Sequence, residues 1–319
     1  MKVLITGATG LVGKAIVREL NDNGIQVNYL TTSKAKLVAK ENYNGYYWNP
    51  VKNEIDLDCF EGVTSIINLA GASISKRWTT SYKSKVLDSR IDSLRTLKEG
   101  IEKSGSDTIT SLVSASAIGI YPNSLSSFYI EEEQQVDESF LGDVVKAWEE
   151  EIDTFKNFGF NVAKIRIGLV LSNEGGALPR MARPIKNYVG AAFGSGEQWQ
   201  SWIHVDDLAR MFVFAIAHNL KGIYNGVAPN PVTNTKMTKE LAKVLEKPLF
   251  LPNIPEFAMK TILGEMSYLL FASQRVSSKR IETKGFKFNF KSVCDALKEI
   301  YGKQAAKEET MSSFSKEYV

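Results

Sequence analysis

Disulfide-rich folds and metal-stapled folds are excluded first, because the 319 residues include only two cysteines, Cys59 and Cys294, far apart in the chain. Such sparing use of cysteine fits a reducing, cytoplasmic setting, which is the expected location. Histidine is equally scarce: His204 and His218 stand without a carboxylate cluster around them in sequence, and no metal site is expected. Blocks of like charge are missing too. Lys plus Arg number 39 against 36 Asp plus Glu, a net of +3. Without a basic stripe, nucleic acid is not an expected partner. Long apolar runs are absent as well. "MKVLITG" offers three apolar residues before a polar break, too short for a signal-peptide core, and no later run approaches bilayer length. No membrane partner is expected.

What is present is a chain 44% hydrophobic and 24% charged, suited to one large or two closely joined globular units with a sizeable core. Val3 to Ile5 form a short apolar run broken by Gly7. Ala15, Ile16 and Leu20 then recur at helical spacing until Gly24, a helix stop, and "IQVNYL" (25 to 30) follows as a β-rich run. The opening therefore reads as a βαβ unit, whose parallel pairing needs the intervening helix. Further apolar runs at 63–71, 108–116 and 161–171 are separated by long helix-compatible stretches. The predicted fold class is α/β: a doubly wound parallel sheet, a Rossmann fold, with a smaller mixed C-terminal substrate region. Residues 1–171 are assigned to the dinucleotide-binding domain, with later segments such as 202–218 packing back onto it. Residues 172–302, rich in Gly and aromatics, form the substrate side, and 303–319, polar and aperiodic, are expected to be a flexible tail.

The stretch "TGATGLVG" (6 to 13) carries the first functional signal. Gly7, Gly10 and Gly13 are spaced three apart between a strand and a helix. Free N–H groups and the positive helix end can face a pyrophosphate there, and the missing Cβ atoms permit close approach. An acidic residue about 20 positions on would grip the ribose 2′-hydroxyl of NAD. The second strand instead ends in Thr31, Thr32, Ser33, Lys34, Ala35 and Lys36, with hydroxyls and two lysines and no acid. Those groups suit a 2′-phosphate, so NADP(H) is the expected cofactor. The alternative is that the lysines are solvated loop charges.

These residues, with "NLAG" (68 to 71), "SASAIGIYP" (114 to 122), "RIGLVLS" (166 to 172) and "WIHVDDLAR" (202 to 210), resemble an extended short-chain dehydrogenase/reductase of the NAD(P)-dependent epimerase/dehydratase superfamily. More narrowly, "GASISKRWTTSYKSKVLDSRIDSLRTL" (71 to 97), "SNEGGALPRM" (172 to 181), "GSGEQWQSWIHVDDLA" (194 to 209) and "YNGVAPNPVTN" (224 to 234) resemble the atypical subgroup called epimerase family protein or SulA-like, as do the motifs within 257–288. The likeness runs over nearly the whole chain. It implies an NADP-dependent oxidoreductase or epimerase acting on a small molecule, with a homo-oligomeric state left open. It also implies cofactor contacts from Gly7, Thr9, Gly10, Leu11, Val12 and Gly13, from Thr31 and Thr32 with Ser33 and Lys34 beside them, from Leu69, Ala70 and Gly71, from Lys85 and Arg90, and from Ser114 and Val170. One departure stands out: Thr32 occupies a corner where the subgroup often has a basic residue, and Lys34 lies two positions on.

The resemblance further implies a serine at the end of the fifth strand, with Tyr-x-x-x-Lys on the next helix. At i and i+4 these share a helix face, so the ammonium can lower the tyrosine pKa while the tyrosine moves a proton. Ser116 fits the serine, but "GDVVKAWEEEIDTF" (142 to 155) holds no tyrosine, and the register falls to Val145 and Glu149 or to a pair shifted from them. Two readings stay open. In one, proton transfer falls to Glu149, to Tyr121 or to water held on Ser116. In the other, the chain binds its cofactor without turnover, as a sensor or regulatory protein. Glu149 reads equally as part of a solvated acidic face, and Ser116 as a strand-end hydrogen-bonding group. Trp78, Trp199 and Trp202 are expected as pocket walls, with Arg77, Arg166 and Arg180 suited to an acidic or planar ligand. Asp206 is the expected cap of the helix after "WIH", with His204 positioning it. Residues 257–272 are expected as a core-facing helix.

Overall fold

The computed structural model describes residues 1–302, so the tail expected at 303–319 lies outside the described residues. Seven runs pair as a parallel sheet: β1 (Lys2–Thr6), β2 (Gln26–Thr31), β3 (Tyr43–Asn49), β4 (Ser65–Asn68), β5 (Ser111–Ala117), β6 (Asn161–Ile167) and β7 (Gly222–Gly226). Their order across the sheet is β7-β6-β5-β4-β1-β2-β3. The winding direction reverses between β1 and β4, which opens a crevice outside their C-terminal ends. This is the doubly wound, Rossmann-like fold that the alternating pattern predicts.

Helices cover both faces, as a parallel sheet requires. On one side α1 (Leu11–Asp22) packs against α5 (Val205–Ala217), and on the other α2 (Thr80–Ser104) packs against α3 (Phe140–Asp153). In α1 the buried positions are Gly13, Ala15, Ile16 and Leu20, and Gly24 follows at φ 67°, the left-handed conformation that ends a helix. Ile16 and Leu20 are wholly removed from water, worth about 1.5–3 kcal/mol each. A second core gathers Leu171, Leu178, Trp202, Met237 and Leu297. It is built from α4 (Leu178–Lys186), α6 (Asn234–Val244) and a helix over 293–302. Among the described residues no helix is long and apolar enough to cross a membrane.

Three local expectations are corrected. The run 161–171 is not one strand. It breaks at Gly168, where a Cβ would lie 2.2 Å from the Ser201 carbonyl oxygen, and Leu169–Leu171 leaves the sheet to pair with Trp202–His204. The cap of α5 is His204, whose Nδ1 accepts from the Asp206 backbone N–H at 3.1 Å. Asp206 sits instead in the first turn, where its charge complements the helix dipole. Finally, residues 257–272 are neither one helix nor core-facing. The helix α7 (Glu256–Leu263) buries none of its residues and stops at Gly264, whose φ of 61° and ψ of −142° only glycine adopts readily.

Candidate cofactor and active site

The glycine turn is shaped by contacts that exclude side chains. Gly7 turns at φ 72°, and its carbonyl accepts from the Gly10 N–H at 3.0 Å. A Cβ on Gly13 would stand 2.1 Å from that same carbonyl, so α1 approaches the turn as closely as backbone allows. The N-cap of α1 is Gly10, which has no side chain to cap the helix, and no acid lies in the first turn. In contrast α2, α3, α5 and α6 are capped by Thr79, Ser139, His204 and Thr233. The opening of α1, from Thr9 through Leu11, Val12 and Gly13, therefore leaves backbone donors and a positive helix end aimed at the crevice.

A buried polar row holds the floor of that crevice. Register aligns Thr6, Asn68 and Ser114 across β1, β4 and β5. The Thr6 hydroxyl donates to Asn68 Oδ1 at 2.8 Å and accepts from the backbone N–H groups of Leu69 and Ala70 at 2.9 and 3.0 Å. Asn68 Nδ2 donates to Ser114 Oγ at 3.0 Å. Ser114 is fully buried, accepting from Asn68 and donating to the Ala115 carbonyl, while Thr6 fixes Leu69 and Ala70 at the crevice mouth.

Arg90 reaches that mouth from α2. Its guanidinium packs where a Gly71 Cβ would be, 3.1 Å away, lies 4.9 Å from the Trp148 ring centroid, and donates to the carbonyls of Ala72 and Val86. No carboxylate faces it among the described residues, and its buried Nε has no partner. Burial brings its pKa down to about 10. An unneutralised, partly orphaned cation beside an open helix end fits an anionic group such as a dinucleotide diphosphate. Lys85 is exposed on α2, about 140° around the helix from Arg90, so the two do not share a face. Val170 is half-buried on the strand that leaves the sheet after Gly168. At the end of β2, Thr31 Oγ1 accepts from the Ser33 N–H at 3.2 Å, while Thr32 and Lys34 are exposed.

The neighbouring end of the sheet is closed. Ser116 Oγ donates to Glu149 Oε1 at 2.5 Å. Arg166 grips the same carboxylate with two bonds, from Nε at 2.8 Å and Nη2 at 2.9 Å, and Lys164 stands 3.5 Å away. Arg166 Nη1 also donates to the Tyr121 hydroxyl at 3.0 Å, which donates on to Asn225 Oδ1 at 2.7 Å. All of these side chains are buried. Burial opposes the Glu149 charge, but the hydrogen bonds and charge of Arg166 outweigh it and hold the carboxyl below its usual range. Burial pushes Tyr121 up to about 12 against the pull of Arg166.

Several expectations change here. Glu149 is neither a solvated acid nor a ready proton donor, because a bidentate ion pair fixes it as an anion. Tyr121 has no exposed surface and is bonded on both sides. Val145 packs with Ile120, Tyr121 and Val276, so the helix register of the missing tyrosine is filled by core. Arg166 belongs to the Glu149 pair and is withdrawn from ligand binding. Trp202 is withdrawn as well, since it is fully buried in the second core and donates to the Asn230 carbonyl. Trp78 is buried, edge-on to Phe140, and Trp199 lies 4.4 Å under Arg275. Arg180 donates to the Ser75 carbonyl, tying α4 to the loop after β4, and Arg77 is exposed on that loop. His204 uses Nδ1 in its cap and places Nε2 3.0 Å from Glu299, so both ring nitrogens are engaged. Sequence reading missed Asn68, Asn225 and β3; their signal lay in strand register, which no local pattern shows.

Residues 3–226 match the model of the NAD dependent epimerase/dehydratase family, and the chain belongs to that family. Residues 254–300 match a domain described as of unknown function. Among relatives, the chain is 36% identical over 304 residues to an epimerase family protein of Staphylococcus epidermidis, covering 94% of this chain and 98% of that one. It is 37% identical over 306 residues to the chloroplastic epimerase family protein SDR39U1 homolog of Arabidopsis thaliana, covering 94% and 86%. Human epimerase family protein SDR39U1, solved with NADPH, superposes with a TM-score of 0.80 at 27% identity over 94% of this chain and 99% of that one.

Proposed function

We propose that the chain is an NADP(H)-dependent oxidoreductase or epimerase acting on a small organic molecule. The observation that carries this reading is the uncapped start of α1 beside the glycine turn, with the unneutralised Arg90 across the same crevice. The NADPH bound to the human relative points the same way. In this reading the backbone from Gly7 to Gly13 and Arg90 hold the diphosphate, Leu69 to Gly71 and Val170 flank the dinucleotide, and the corner from Thr31 to Lys34 meets the 2′-phosphate. The bound nicotinamide supplies the hydride acceptor or donor. Ser116 is the candidate active-site group. Because its proton is given to Glu149, it offers lone pairs and serves as an acceptor toward a substrate hydroxyl or a carboxamide N–H.

The test is a side-by-side titration with NADPH and NADH followed by tryptophan fluorescence, then a screen of carbonyl compounds and sugar nucleotides on the loaded protein. Tight NADPH binding and turnover that falls in Ser116→Ala support the proposal, whereas failure of either cofactor to bind overturns it. A second reading, cofactor binding without turnover, is favoured by the mutual pairing of Ser116, Glu149, Arg166 and Tyr121, which leaves none of the sequence's proton carriers free. Persistent inactivity of folded, NADPH-loaded protein selects it.

A further inference from the structure

We infer that Lys34 and Tyr47 act as one unit that selects NADPH over NADH, with the Tyr47 ring holding the Lys34 ammonium where the cofactor's 2′-phosphate arrives. The inference rests on the proposed NADP(H) binding and adds the residue that positions the cation.

Tyr47 lies on β3, directly beside the end of β2, because register pairs it with Thr31. In-register side chains of parallel neighbours stand on the same face of the sheet, so Tyr47 shares the side of the strand end on which Thr31 lies. The Lys34 Nζ is 5.2 Å from the centroid of the Tyr47 ring, within cation–π range. No carboxylate lies within ion-pair distance of Lys34 among the described residues, so its charge is unneutralised. An ammonium resting on a ring face keeps N–H donors free on its other side, and a phosphate dianion takes several of them.

The segment carrying Lys34 is built in advance. The Tyr29 hydroxyl donates to the Lys36 carbonyl at 2.6 Å and accepts from the Val38 N–H at 3.0 Å. Ser33 receives the Lys36 N–H on its carbonyl at 3.0 Å and gives its own N–H to Thr31 Oγ1 at 3.2 Å. Tyr29 is itself buried and stacked on Tyr43 at 4.5 Å. Gly45 makes room for it, since a Cβ there would fall 2.5 Å from the phenol oxygen. The lysine therefore starts from a fixed backbone and ends on the ring of a residue whose own backbone is fixed in β3. Thr32 carries no charge, and Lys34 supplies one from two residues further on.

The experiment measures dissociation constants of NADPH, NADH and 2′,5′-ADP for the wild type and for Lys34→Ala, Tyr47→Leu and Tyr47→Phe, with thermal melting as a folding control. Lys34→Ala is expected to weaken NADPH and 2′,5′-ADP by about tenfold or more while leaving NADH unchanged, the loss of one charge-assisted contact. Tyr47→Leu is expected to weaken the two 2′-phosphate ligands by roughly two- to fivefold, as loss of a surface cation–π contact predicts, and Tyr47→Phe, which keeps the ring, to weaken neither. Wild-type preference for NADPH that survives in Lys34→Ala overturns the inference and leaves the proposed function standing. Preference lost in Lys34→Ala but intact in Tyr47→Leu overturns the role of the ring. Failure of the wild type to bind any of the three ligands overturns both the inference and the proposed function.

Discussion

The two halves of the sheet's C-terminal edge are built in opposite ways. Around β1, β2 and β4, the first turn of α1 has no cap, Arg90 has no carboxylate and Lys34 has no ion-pair partner among the described residues. Around β5, β6 and β7, Ser116, Glu149, Arg166, Tyr121 and Asn225 are bonded to one another, and the Arg166 and Glu149 charges face each other. Buried polar groups are normally satisfied, because leaving one unpaired costs about 1–3 kcal/mol. An end of the sheet that tolerates open donors and bare cations is an end that expects a ligand. An end whose charges are paired within the chain is holding itself together.

The strongest way to break this contrast is to cut the closed half. Glu149→Ala removes the only carboxylate that pairs with Arg166 among the described residues and leaves a guanidinium buried without that counter-charge. Breaking one side of such a pair costs about 3–5 kcal/mol, so a large fall in melting temperature is expected, with NADPH affinity of the folded fraction unchanged. Thermal unfolding with and without NADPH checks it. A variant as stable as the wild type would mean that the network is not structural, and that Glu149 is maintained for chemistry after all.

The open half is probed by Arg90→Leu. This cation already pays for its burial without a counter-charge, and its loss removes only bonds to two carbonyls, so stability should change by no more than about 1 kcal/mol. NADPH affinity should fall by about tenfold, the loss of one charged contact to a diphosphate. Calorimetric titration and melting curves on one preparation separate the two effects. A variant that unfolds readily yet binds as before would reverse the assignment of the two halves.

The sequence legibly encoded what is local. Gly7, Gly10 and Gly13 follow a strand and open a helix, and that contiguity is enough to place the crevice and the fold class around it. Lys34 was visible as a cation where an acid would otherwise stand. Other features depended on register. Nothing near Glu149 in "WEEEID" tells which of three glutamates points inward, and that was decided by Arg166, on a strand that begins after the helix ends. Tyr121 and Asn225 meet across about a hundred positions of chain, a contact created by the strand order that sets β6 between β5, which Tyr121 follows, and β7, which carries Asn225. Trp202 was misread for the same reason: Gly168 lets Ser201 approach, which turns the following strand into the second core. Helix 257–272 was misread because its apolar spacing was sound while the glycine inside it set the backbone.

The smallest effect expected is a pH dependence that belongs to the closed half alone. Glu149 has a folded pKa below that of an unfolded glutamate, about 4.3, because Arg166 and Ser116 favour its anion against the cost of burial. The stabilisation from this shift is therefore fully present above that value and is lost as pH falls through the lower, folded one. Asp153, paired with Lys156 and Lys164, shifts in the same direction and adds to the same acid limb. Urea unfolding of the wild type and of Glu149→Gln at steps from neutral pH down to about 3 isolates the Glu149 share, since Asp153 is common to both. The stability gap between the two proteins should be widest at neutral pH and narrow as the wild-type carboxyl takes up its proton and comes to resemble the amide. A wild type that instead gains stability over Glu149→Gln as pH falls from neutral toward about 4.3 would mean that Glu149 is already protonated in the folded protein at neutral pH, which would return it to the list of proton donors and make the closed half an active site.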